Sequence, residues 1–251
     1  MIATAKTTTA PARRSAFERR TARRLAATEY DRFLSQLHRL QSEDWTKPTD
    51  CPGWDVRALV GHVVGMTEMS ASVPEQLKQM RAAGKAGGEF IDALTALQVA
   101  KHFGDSTEQL VARFAAVAPK AAKGRGRTPG FVRGRTMPML QTVGPSKEAW
   151  TFGYLIDVIL TRDPWMHRVD LARAAGLDVE LTGEHDGVLV ADIVQEWAGR
   201  HGQPCTVQLS GQAGGRWAFG SGGIELSGDA VDFCRGLSGR GEPALATPVP
   251  F

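Results

Sequence analysis

Cysteine is scarce in this chain of 251 residues and badly placed for cross-links. Cys51, Cys205 and Cys234 are odd in number, far apart and without a Cys-x-x-Cys pair, so neither a disulfide framework nor a cysteine-based zinc site has support. A reducing, cytoplasmic setting is the expectation. No run of about 18 apolar residues exists to span a bilayer, and the first residues lack the apolar core of a secretory signal. Neither export nor membrane insertion is expected. Missing too are a recognition helix with a basic face, a zinc finger and an aromatic sheet platform, which removes nucleic acid from the expected partners.

Acidic residues are absent from one long stretch, where Lys120, Lys123, Arg125, Arg127, Arg133, Arg135 and Lys147 concentrate the mild basic excess of +3. Either this is a solvated loop or it covers a site mouth and holds an acidic cosubstrate. The remainder is ordinary for a soluble globular protein. Hydrophobic residues make up 42% and charged residues 23%, enough for one large core or two smaller ones.

Residues 1–13, rich in Thr, Ala and Pro, read as a disordered tail. From Arg14 to Gln41, Phe17, Leu25, Tyr30, Phe33, Leu34, Leu37 and Leu40 recur at helical spacing, the mark of a long amphipathic helix. Two prolines and a glycine make residues 45–54 a rigid connector, after which Asp55 caps a helix running to Thr67 or beyond. On that helix His62 sits among Leu59, Val60, Val63 and Val64, and Gly61 and Gly65 let a neighbouring helix approach closely.

Shorter helices are predicted at 74–82, 90–102 and 106–122, the last capped by Asp105 or Ser106. A basic loop follows at 124–144. A helix-compatible segment then covers 146–175, interrupted at Pro164 and stopped by Gly176. Beyond it come a helix at 184–200, strands at 205–209, 216–219 and 224–226, and a closing helix at 229–237. The expected organisation is a helical domain over 14–176 and a small α+β domain over 177–251.

Two segments carry the chemistry. Gly61-His62-Val63-Val64-Gly65 puts an imidazole on an apolar helix, and in Asp163-Pro164-Trp165-Met166-His167-Arg168-Val169-Asp170 the residues Asp163 and His167 stand four apart, on one helical face. Two imidazoles and a carboxylate suit a catalytic divalent metal, whereas structural zinc sites are usually closed by four protein ligands. Each residue also has a plainer reading. A histidine on an apolar helix can be a satisfied core residue, and Asp163 before Pro164 can cap a restarted helix. Asp170 is either an outer hydrogen-bond acceptor for a ligand histidine or a surface partner of Arg173. Trp54, Trp150 and Trp165 read as packing. Trp165, Arg125 and Arg127 are the candidate substrate contacts.

The pattern Trp45-Thr-x-Pro-Thr-x-Cys51-Pro-Gly-Trp54-x-Val-Arg-x-Leu-Val-x-His62 resembles the N-terminal domain of the mycothiol-dependent maleylpyruvate isomerase family, within the DinB-like metal-binding four-helix bundles. The segment 153–176 is similar to its second metal motif. The stretch 227–235 resembles part of the small sterol-carrier-like domain found at the C-terminus of such proteins. The resemblance implies an α+β chain, with a DinB-like bundle followed by that domain. It also implies a divalent metal, most often zinc, on His62, Asp163 and His167, with Asp163 standing where the family pattern has glutamate. The implied activity is mycothiol-dependent: metal-held thiolate attacks an electrophilic small molecule, as an S-transferase or as an isomerase. Partners are then a small-molecule thiol and an electrophile, with the protein a monomer or homodimer. Two other readings remain open, a non-catalytic binding module of the same fold and a metal-dependent hydrolase that activates water.

Overall fold

The computed structural model describes residues 11–251, so residues 1–10 of the expected tail lie outside the described residues. Arg13, at that tail's end, is held by Glu148 at 3.0 Å and by a backbone bridge to Trp150. Among the described residues ten α-helices follow in the order α1 (Arg19–Leu37), α2 (Val56–Ala71), α3 (Val73–Ala86), α4 (Phe90–His102), α5 (Thr107–Arg127), α6 (Gly130–Arg133), α7 (Phe152–Tyr154), α8 (Leu160–Ala175), α9 (Val188–His201) and α10 (Ala230–Arg235). The strands are β1 (Gln141–Val143), β2 (Ser146–Glu148), β3 (Cys205–Ser210), β4 (Gly215–Phe219) and β5 (Ile224–Asp229). This is the expected α+β class, a helical N-terminal region with a small sheet after it.

Helices α1, α2, α5 and α8 pack on one another as the bundle, with α3 and α4 laid against α2. Local chemistry sets their ends. Asp55 accepts from the Ala58 N–H at 2.8 Å to start α2, and Ser106 with Gln109 forms a reciprocal capping box at α5. Gly176, at φ 68°, ends α8 in the left-handed region that only glycine enters without strain. The bundle core joins Phe33, Leu59, Val63, Leu110, Phe114 and Leu171. Gly65 is the close-approach point: a Cβ there would lie 2.8 Å from the Gln98 Cβ on α4.

A second core ties the sheet to the bundle. Trp165, Met166 and Val169 of α8 share it with Val190, Ile193, Trp197 and the inner residues of β3. In that sheet β3 is central, antiparallel to β4 and parallel to β5. Asp229 caps α10.

Two expectations are corrected. The helical segment expected over 146–175 begins only at Phe152, and residues 146–148 instead form the second strand of a hairpin, β1–β2, turned at Gly144 with φ 54°. Its Val143 is buried with Met137, Trp150 and Tyr154, so this non-local apolar packing overrides helical propensity. The loop expected from Gly124 also begins late, because α5 continues to Arg127.

Candidate functional site

α8 does not break at Pro164. A wide π-turn at residues 155–159 precedes it, and the helix then runs through the proline to Gly176. Proline has no N–H for the Leu160 carbonyl, and the wide turn diverts the Leu160 N–H from Ile156 to Leu155. Arg125 serves both orphaned acceptors, donating to Ile156 O at 2.6 and 2.9 Å and to Leu160 O at 2.8 Å. A cation read from sequence as a substrate contact is therefore a buried backbone clamp. It lets α8 keep an aspartate and a proline side by side.

That clamp and two flanking arginines orient α8. Arg162, fully buried, reaches Asp192 at 2.6 Å and Glu196 at 3.0 Å on α9. Arg168, also buried, holds Glu29 of α1 at 2.8 Å and Asp186 at 2.9 Å. The remaining face turns Asp163 and His167 toward His62 on α2. His62 Nε2 lies 3.4 Å and His167 Nε2 3.7 Å from Asp163 Oδ2, and the two imidazole centroids are 5.2 Å apart. One donor atom from each of the three falls within 4.8 Å of the others.

Tetrahedral zinc, with arms of about 2.0–2.2 Å, asks for donors about 3.3–3.5 Å apart. The two spacings to Asp163 Oδ2, 3.4 and 3.7 Å, need little adjustment. Asp163 Oδ1 is buried with no hydrogen-bond partner among the described residues, and so is His62 Nδ1. A buried carboxylate oxygen without a partner is costly unless something else fills that role. Asp163 does not cap the helix, since Oδ2 faces the two imidazoles. Burial opposes its ionisation, yet His167 and His62 hold its carboxyl below the ordinary value.

Behind His167 stands a network that sequence reading found only in part. Asp170 Oδ2 meets His167 Nδ1 at 3.1 Å. Arg240, 70 residues further on, donates Nε to Asp170 Oδ1 at 2.6 Å and Nη2 to Oδ2. Despite its burial, Asp170 is held down to about 2 by these hydrogen bonds. Arg173 is not the partner of Asp170; it pairs with Asp50 at 2.9 Å.

Cys51 Sγ donates to Asp170 Oδ2 at 3.4 Å, and burial followed by that negative neighbour pushes its thiol up to about 12. It is a neutral prop. Cys51, His167 and Asp170 also lie within metal-binding distance of one another, but Arg240 already occupies both oxygens of Asp170. Trp54, read as packing, lies against both imidazoles, 5.2 Å from His62 and 6.0 Å from His167. Cys51 and Trp54 were signalled by the Cys-Pro-Gly-Trp motif. Nothing local signals Arg240.

The other candidates point elsewhere. Trp165 is fully buried and donates to Asp186 at 2.9 Å, so it is a core residue. Arg127 is exposed and lines a cavity with Thr128 and Pro129 that includes none of the three converging residues.

Two cavities do reach the constellation. One of 400 Å³ contains His62 and Asp163, and one of 310 Å³ contains Asp163 and His167; Pro250 and Phe251 line both. A cavity of 610 Å³ lined by Cys51, Trp54 and His102 includes none of the three.

Over 90% of its length the chain is similar to a crystal structure of the mycothiol-dependent maleylpyruvate isomerase, covering 90% of that chain, at TM-score 0.57 and 16% identity. A crystal structure of a histidine-to-alanine mutant of the same enzyme matches at TM-score 0.56, with the same identity and coverage. At that identity the likeness concerns the fold. No curated protein matches. The family model described as mycothiol maleylpyruvate isomerase N-terminal domain matches residues 24–172, more than half of the sequence, from within α1 to past the converging residues of α8. Bundle and motifs agree with that match, and the chain belongs to the mycothiol maleylpyruvate isomerase N-terminal domain family.

Proposed function

We propose that this chain is a metal-dependent thiol enzyme: His62, Asp163 and His167 hold a divalent metal, best suited to zinc, and mycothiol supplies the sulfur that attacks an electrophilic small molecule. The observation that carries the reading is the convergence of two imidazoles, from α2 and α8, on Asp163 Oδ2, while the other oxygen of that carboxylate, Oδ1, is buried without a partner among the described residues. Two neutral imidazoles and one carboxylate leave net positive charge on a divalent ion, which suits an anionic sulfur ligand. When bound, such an ion supplies the Lewis acidity that keeps a thiol ionised at neutral pH.

The protein's own groups do the rest. Asp170 fixes the His167 ring through Nδ1, directing Nε2 to the centre, and Arg240 locks Asp170 in place. Trp54 shields both imidazoles from one side. No protein nucleophile is needed, since Cys51 stays protonated. The region 177–251 is read as the sterol-carrier-like unit, on the strength of its Asp229-capped helix after β5. Its contribution to the site is Arg240, Pro250 and Phe251.

Incubation with mycothiol and a panel of electrophiles tests this. The expected result is thiol-dependent product formation, with thiol consumed stoichiometrically by a transferase and recycled by an isomerase. Equal turnover without thiol supports hydrolysis and rejects the reading. A milder probe is Asp170→Asn, expected to weaken metal affinity by about 10–100-fold in a chelator competition titration. Unchanged affinity contradicts the role given to Asp170.

A further inference from the structure

The cavity that Arg127 lines takes no part in the chemistry at His62, Asp163 and His167. It measures 460 Å³ and is enclosed by the α2–α3 junction, the end of α5, α6 and the wide turn before α8. Val73, Val132, Phe152, Leu155 and Ile156 make its walls mostly apolar, with Ser72, Gln76 and Thr128 among its polar side chains. Met69, Leu155 and Leu160 also line the cavity that holds His62 and Asp163, so the two adjoin across apolar side chains.

The charge around this cavity is of one sign. No aspartate or glutamate lines it, whereas Arg125 and Arg127 both do. Arg125 is 5% exposed, and its bonds go to carbonyls and hydroxyls of Ile156, Leu160, Tyr30 and Thr161, with no carboxylate among them. Asp157, which shares a small recess with Arg125, is paired with Arg133, and Arg19 and Arg23 border the same recess. Four arginines thus surround one acid. A buried cation is ordinarily neutralised by an acid, and Arg125 has no acid of its own among the described residues. Arg127 is exposed at the cavity and makes no ion pair among the described residues either. A low-dielectric hollow with this balance draws negative charge.

We infer that the cavity is a second small-molecule site, for an amphiphile with one anionic head and a medium-length hydrocarbon chain. The head pairs with Arg127 in the field of Arg125, and the chain lies along Val132, Phe152, Leu155 and Ile156. A small inorganic anion would leave the apolar walls wet, and a cationic amphiphile would add to a charge already unbalanced. The 460 Å³ falls within the range for small-molecule sites. No metal ligand lines the cavity, so the assignment stands apart from the thiol chemistry.

Titration calorimetry on the full chain with decanoate and decyltrimethylammonium, matched in chain and opposite in charge, tests this. Decanoate is expected to occupy one saturable site at least about tenfold more tightly than the cation, equally with and without EDTA. Arg127→Glu is expected to weaken decanoate about tenfold, whereas Arg135→Glu, which reverses an exposed charge outside the cavity lining, leaves it within about twofold. Val132→Trp, which puts an indole into the space of the chain, is expected to weaken decanoate by at least about tenfold as well. Equal affinity for the two amphiphiles, loss of decanoate binding in EDTA, equal effects of the two charge reversals, or no saturable binding overturns the inference. Decanoate binding by protein that holds no metal keeps this site while the metal reading fails, whereas thiol turnover without decanoate binding does the reverse.

Discussion

His62→Ala and His167→Ala each lower thiol-dependent turnover by about 10³-fold or more. A free thiol with a pKa near that of cysteine is only a few per cent ionised at neutral pH, and the metal's contribution to charge stabilisation is worth several kcal/mol, each 1.36 of which is tenfold in rate. Losing one imidazole of three leaves too few protein donors to keep a catalytic ion. The folds should survive, because His62 makes no hydrogen bond through Nδ1 and neither ring is part of the two large apolar cores. Steady-state rates with mycothiol, alongside thermal melts of the metal-free proteins, check this. Turnover within about threefold of wild type in both variants removes metal-assisted chemistry from the account.

The second large effect concerns stability. Arg168, Glu29 and Asp186 are fully buried together, with His185 on Glu29 at 2.8 Å and Trp165 on Asp186 at 2.9 Å. Arg168→Ala leaves Glu29 with only His185 and deprives Asp186 of one of its two arginine partners. Removing one member of such a buried ionic group costs about 3–5 kcal/mol, or about 10 °C in Tm for a chain of this size. Replacing both charges, as in Arg168→Met with Glu29→Leu, should recover much of that loss, since no Glu29 carboxylate is then left unpaired. A single-variant shift under about 2 °C in calorimetry contradicts the description of this cluster. Because Arg168 follows His167 directly, the same variant should loosen the site.

Local signals explain what could be read from sequence. Asp55 and Ser106 lie just before apolar periodic runs, so α2 and α5 announce themselves; Gly61 and Gly65 mark where α4 approaches. His62, Asp163 and His167 stand out because polar groups on apolar helical faces need partners. The hairpin at residues 141–148 was hidden because each strand is three residues long and its burial comes from Trp150, Tyr154 and Met137, not from its own pattern.

Arg125 misled for a related reason. A basic residue between glycines reads as a loop cation until the π-turn and Pro164, more than 30 residues away, supply the carbonyls it serves. Arg240 is invisible locally for the same cause, its partner Asp170 being brought to it by the fold alone.

Metal content is the most direct measure of the central claim. Protein purified without a histidine tag, assayed by inductively coupled plasma mass spectrometry beside His62→Ala and His167→Ala, should carry about one equivalent of divalent metal in the wild type and close to none in either variant. Equal metal in all three proteins contradicts the site.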